Sequence, residues 1–218
     1  MKTPANQSHT QDEKLDYRIV QSNLNEFLAE PVASIPTWVD KKYLTRSPFA
    51  FMTRDFEQFR ELTSDMLDIE YQNIWCTGSG ALGFSLSPSK IANGKPKFFD
   101  TGSDLDIAII STHYFDMAWK ELREKSKSFE VENQLRNRFS KKMELQRKRL
   151  FDGAIQTDRM LPYLSFGEDW MKGLGKMKNQ VAVTFNRSVD VKFWIYRDIW
   201  SVRYYVAEGA KKVKGSLT

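Results

Sequence analysis

Gly102-Ser103-Asp104-Leu105-Asp106-Ile107-Ala108-Ile109-Ile110 is the stretch that decides how this chain folds. It is an apolar run of strand length, entered through a Gly-Ser pair that favours a turn. Residues two apart on a strand face the same way. Leu105, Ile107 and Ile109 therefore point to a core, while Asp104 and Asp106 project together where the strand begins. Two carboxylates on one edge repel each other, and a divalent cation is the usual means of neutralising them.

Two other pieces belong with this strand. Upstream, Asn73 to Thr77 reads as a short strand ending in the turn Gly78-Ser79-Gly80. Gly78 permits close backbone approach and Ser79 adds a hydroxyl donor without bulk, a combination suited to phosphate oxygens at the start of a short helix. Downstream, Val189, Val191, Phe193 and Ile195 share one face of a further strand, and Asp190, Lys192, Trp194 and Tyr196 share the other. With the two strands side by side, Asp104, Asp106 and Asp190 surround one point, as a two-metal phosphoryl or nucleotidyl transfer requires. One magnesium shared by all three would activate an acceptor hydroxyl. A second, on Asp104 and Asp106, would bridge a triphosphate that Gly78, Ser79 and Lys192 also hold.

Around these pieces the pattern is mixed. Residues 1–14 read as a disordered tail and residues 15–218 as one domain. Helices are expected over 15–30 and from about Arg54 to Asp68, the second capped by Thr53 and burying Phe56, Phe59, Leu62, Met66 and Leu67. Pro88, Asn93-Gly94 and Pro96 mark a loop or hairpin over 87–103. A basic helical insertion is placed at about 115–178, followed by a hairpin of Val181–Phe185 with Val189–Tyr196 across Asn186-Arg187-Ser188. The end, AEGAKKVKGSLT, reads as frayed. The fold class is α/β (α+β), a mixed sheet flanked by helices.

Composition narrows the chemistry. Cys76 is the single cysteine, so no intramolecular disulfide can form. With only His9 and His113 besides, a Cys/His zinc site is effectively excluded, and any metal must sit on carboxylates, which suits Mg2+ or Mn2+. Cys76 itself is expected to be a small core residue, and His113 a loop or cap residue. The absence of a signal-peptide core or a run long enough to span a bilayer points to the cytoplasm. The net charge of +5 leans toward a polyanionic partner. Between Gln134 and Arg149, Arg136, Arg138, Lys141, Lys142, Arg147, Lys148 and Arg149 face one acid, Glu144. Pairing along a helix cannot balance that excess, so the block is read either as a solvated face or as a contact for nucleic acid or triphosphate. Trp194, Tyr196 and Trp200 could stack on a base, although core packing is the ordinary use of such residues.

A strand ending in Gly78-Ser79, then Asp104-Leu105-Asp106, then a lone Asp190 in a later strand resembles the nucleotidyltransferase superfamily related to DNA polymerase beta. That superfamily includes CCA-adding enzymes, poly(A) polymerases, cyclic-oligonucleotide synthases and the stand-alone enzymes of toxin–antitoxin and defence systems. The resemblance implies transfer of NMP from an NTP to an acceptor hydroxyl, on an RNA 3′ end or a protein side chain, with pyrophosphate released. It also implies that Asp104, Asp106 and Asp190 hold the metal. It covers roughly residues 54–110 and 181–196, and the Ser79–Asp104 segment, carrying Lys90, Lys95 and Lys97, is longer than in compact members. The alternatives are a non-catalytic module of the same fold that binds nucleic acid or a protein, and a synthase of cyclic or linear oligonucleotides. Gly78 to Gly83 also spells the dinucleotide fingerprint G-x-G-x-x-G, but Phe84-Ser85-Leu86-Ser87-Pro88 leaves little room for the helix that this motif needs.

Overall fold

Leu105–Ile110 forms a strand over the residues that the alternation predicts, and it runs through the middle of a four-stranded sheet. The computed structural model describes residues 8–217 apart from 53, 55, 128–132 and 186–188. In chain order the elements are α1 (Ser8–Ala29), α2 (Ile35–Trp38), α3 (Phe56–Leu67), β1 (Ile74–Thr77), α4 (Gly78–Leu82), β2 (Ile91–Ala92), β3 (Lys95–Pro96) and β4 (Leu105–Ile110). They continue with α5 (Thr112–Lys127), α6 (Asn133–Phe151), β5 (Ala154–Gln156), α7 (Thr157–Met160), α8 (Gly167–Thr184), β6 (Val191–Tyr196) and α9 (Ile199–Leu217). The sheet order is β1-β4-β6-β5, with β4 antiparallel to β1 and parallel to β6. A mixed α/β architecture is therefore present. The antiparallel β1–β4 pair also removes the parallel crossover that a dinucleotide fingerprint requires.

The alternation sorts side chains onto two faces. Leu105, Ile107 and Ile109 of β4 and Val191, Phe193 and Ile195 of β6 are buried with Phe59, Leu67, Phe115, Leu122, Met177 and Val181 from the helices on that side. Ala108 and Tyr196 face the other way, into a second cluster with Phe27, Ile35, Trp38, Val202, Val206 and Ala210. Each large apolar side chain buried in this way contributes about 1.5–3 kcal/mol.

Several expectations change. Val181–Phe185 is not a strand. Val181 and Thr184 complete α8, in which Trp170, Gly173, Met177 and Val181 form a buried stripe at helical spacing. A Cβ on Gly173 would lie 2.7 Å from the Met66 carbonyl, so the glycine sets the close approach of α8 to α3. That packing overrides the β-leaning local sequence. The turn assigned to Asn186–Ser188 and the cap assigned to Thr53 lie outside the described residues. Helix α1 begins at Ser8, inside the stretch read as tail.

The basic terminus is a full helix instead of a frayed end. Val213 and Lys214 of α9 are buried, and the Lys214 Nζ donates to the carbonyls of Phe27 at 3.1 Å and Leu28 at 2.7 Å. The last carbonyls of a helix have no intrahelical donor, so this ammonium closes the end of α1. Between β1 and β4, the loop over 87–103 holds the hairpin β2–β3. Its turn, Asn93-Gly94, has both residues at positive φ (52° and 69°), as a type I′ turn requires.

Candidate nucleotide and metal site

Above the start of β4 lies a cavity of about 650 Å³. Its floor is Asp104, Asp106, Gly78, Ser79 and Lys192, five of the six residues that the sequence assigns to metal and nucleotide. Two pairings bring them together. Thr77, the last residue of β1, pairs with Asp106, which places the Gly78-Ser79 turn over that carboxylate. In the parallel β4–β6 ladder, Asp106 pairs with Lys192. Gly78 has φ +63, and a Cβ there would stand 2.5 Å from Asp106 Oδ2. Only glycine fits, because the conformation is left-handed and the space belongs to a carboxylate. The turn before β4 is built from its own side chains. Asp100 accepts from the Gly102 N–H and the Ser103 hydroxyl, both at 2.9 Å, and Ser103 Oγ accepts from the Asp100 N–H at 3.0 Å.

The two acids differ in character. Burial pushes the Asp106 carboxyl up to about 6, and repulsion from Asp104 and Asp158 adds to the shift, while Lys192 and Lys90 partly offset it. Asp104 forms an ion pair with Lys192, whose own pKa rises, chiefly through its hydrogen bond to Asp104. Tyr43 lines the same cavity, and its buried hydroxyl oxygen accepts from the Gly78 N–H, which ties it to the turn. Burial raises its pKa, so it is available as a donor.

Asp190 is not among the cavity's lining residues. It stands one position before β6, its backbone carbonyl accepts from the Leu105 N–H at 2.8 Å, and its exposed carboxylate pairs with Lys178 at 3.5 Å. On the alternation it shares the face of Lys192, but its carboxylate turns to α8. Among the described residues, no three acid, histidine or cysteine side chains form a ready metal cage. Cys76 is buried beneath the site, as a core residue would be.

The basic block divides. Arg149 lines the cavity, donates to Gln156 and lies 5.0 Å over the Trp194 ring, and Lys148 joins it there. Gln146 holds this end of α6 to the sheet, donating to the Ala154 carbonyl at 2.7 Å and accepting from the Gln156 N–H at 3.3 Å. Lys142 lies over the Tyr163 ring instead, Lys141 and Arg147 are exposed, and the side chains of Arg136 and Arg138 lie outside the described set. Trp194 is half-buried in the lining and Tyr196 is buried, while Trp200 is exposed, against the core-packing expectation. Tyr43, Lys90, Gln156, Tyr205 and Lys212 also line the cavity. No local motif marks them, since long-range packing alone brings them in. The chain finds no match among protein-family models, curated proteins or solved structures.

Proposed function

We propose that this chain is a magnesium-dependent nucleotidyltransferase of the polymerase-beta-related type, moving NMP from an NTP to an acceptor hydroxyl. One observation carries the reading: Asp104 and Asp106 share a cavity with the Gly78-Ser79 turn, and the turn rests on Asp106. A half-buried carboxylate held near pKa 6 beside a second acid is a poor arrangement for stability and a good one for a cation. Two carboxylates with substrate phosphates and water suit magnesium, which rarely takes an all-protein cage. Asp104 and Asp106 are the residues that would hold it. When bound, it would neutralise phosphate charge and make the acceptor hydroxyl a better nucleophile.

The protein's own groups do the rest. The Ser79 hydroxyl and the O–H of Tyr43 line the cavity as donors for phosphate oxygens. Without nucleotide, the Lys192 ammonium neutralises Asp104; moving it to phosphate frees Asp104 for the cation. The acceptor hydroxyl gives its proton to solvent water as its oxygen bonds to the α-phosphorus, the bond to the bridging oxygen of the β-phosphate breaks, and pyrophosphate leaves with that electron pair. Release of labelled pyrophosphate from each NTP, with RNA or protein acceptors present, tests the reading. It should require magnesium and disappear in Asp104→Ala/Asp106→Ala.

The outward carboxylate of Asp190 favours one second reading, a binding module of this fold without turnover. No pyrophosphate from any NTP, together with tight nucleotide or RNA binding, would establish that alternative.

A further inference from the structure

Trp200 and Tyr204 of α9 are 59% and 41% exposed, and their rings stack at 5.4 Å with planes 13° apart. They sit one helical turn apart, on the side of α9 opposite the buried Val202, Val206 and Val213. Neither ring is needed for the core, and together they make a flat apolar surface open to solvent. Tyr204 also lines the cavity that holds Asp104 and Asp106, so the platform is continuous with the proposed site.

The surroundings select the occupant. Lys148 and Arg149 of α6 and Lys212 of α9 line the same cavity as Tyr204. Besides Asp104 and Asp106, two acids line it, Asp152 and Glu208, and Glu208 is already paired with Lys211 at 2.9 Å. Cations beside a stacked, exposed aromatic plane are the features that bind unpaired nucleic acid, phosphates to the charges and bases to the rings. A duplex offers a free base face only at its two ends, whereas every unpaired residue of a single strand can offer one. A protein partner could use the rings, but it gives no reason for the cations to lead into a catalytic cavity.

We infer that the acceptor is a single-stranded nucleic acid whose end stacks on Trp200 and Tyr204, with its terminal hydroxyl directed toward Asp104 and Asp106. This rests on the proposed transferase reading for the role of the strand, but not for its binding. The arrangement gives strand affinity with little base preference, because every base has a face to stack and the cations meet phosphates.

The test is fluorescence anisotropy of a short labelled single-stranded oligoadenylate against the full chain, with a blunt duplex as control. The single strand should bind. Trp200→Ala should weaken binding about tenfold or more, the scale of one lost stacking contact. Trp200→Phe should keep most of the affinity, since a ring remains. Magnesium-dependent ATP binding, read by equilibrium dialysis, should be the same in Trp200→Ala as in the wild type. Four results would overturn the inference: no binding of the strand, equal binding by Trp200→Ala, equal binding of the duplex, or ATP binding lost in parallel. A chain that dimerises through Trp200 and ignores the strand would equally assign the patch to protein. Asp104→Asn/Asp106→Asn should still bind the strand. Strand binding that depends on Trp200, with no pyrophosphate release from any NTP, would therefore sink the transferase reading and leave this one standing.

Discussion

The two faces of the β4–β6 pair are made by the same alternation and treated in opposite ways. One face is uniformly apolar and sealed by helices, so each residue's contribution is burial. The other is divided along its length. Its far end packs Ala108 and Tyr196 into a core, while its near end holds Asp104, Asp106 and Lys192 around a cavity. Stability comes mainly from the first face and is given up at the near end of the second. A half-buried acid at elevated pKa beside a second carboxylate is a departure that folding alone does not select.

Substitutions on each face sharpen that contrast. The largest effect belongs to the sealed face: Phe193→Ala should cost about 3–5 kcal/mol in urea unfolding, because nothing there can collapse into the space. Gly78→Ala should cost roughly 2 kcal/mol for the left-handed backbone and should also abolish transfer, because the new methyl meets the Asp106 carboxylate. A mild loss with full activity would mean that the turn does not sit on the acid.

Asp106→Asn should do the reverse and raise stability at pH 8 while removing activity. The sign follows from the folded carboxyl standing near 6, above the value in the unfolded chain. The protonated form favours the fold, so that contribution is complete in acid and is lost as pH rises through about 6. After discount for partial solvent access, the gain is roughly 1–2 kcal/mol at pH 8 and vanishes near pH 4. Thermal midpoints of both proteins across that range check it, and a destabilised variant at pH 8 would show that the carboxylate is structural. The smallest change belongs to Asp190→Asn. Its ion pair with Lys178 is exposed on both sides, so stability should move by less than about 1 kcal/mol. Pyrophosphate release in that variant decides whether the acid acts in the reaction. Loss of activity would place it with Asp104 and Asp106, and normal turnover would leave two acids sufficient.

The wet and dry faces were legible in the sequence because period-two alternation in Leu105–Ile110 and Val191–Tyr196 needs no tertiary information. Gly78 and Ser79 were legible because they end a short strand. β5 was not, since Ala154-Ile155-Gln156 is too short to display a period and exists through pairing with β6. Val181–Thr184 misled because β-branched residues close a helix whose stripe is interrupted by Gly173. The direction of the Asp190 carboxylate depends on Lys178, twelve residues away on another element, which no strand pattern encodes. Trp200 looked like core because composition does not say which side of a helix meets solvent.

The lysine that closes α1 has a consequence for handling the protein. Because Lys214 reaches two carbonyls near the C-terminal end of the first helix, the beginning and the end of the described chain act as one mechanical unit. Trimming the last few residues would do more than shorten a helix. It would strip two carbonyls of their donor, one of them buried, loosen the N-terminal helix, and slacken α9, which carries the exposed tryptophan and tyrosine.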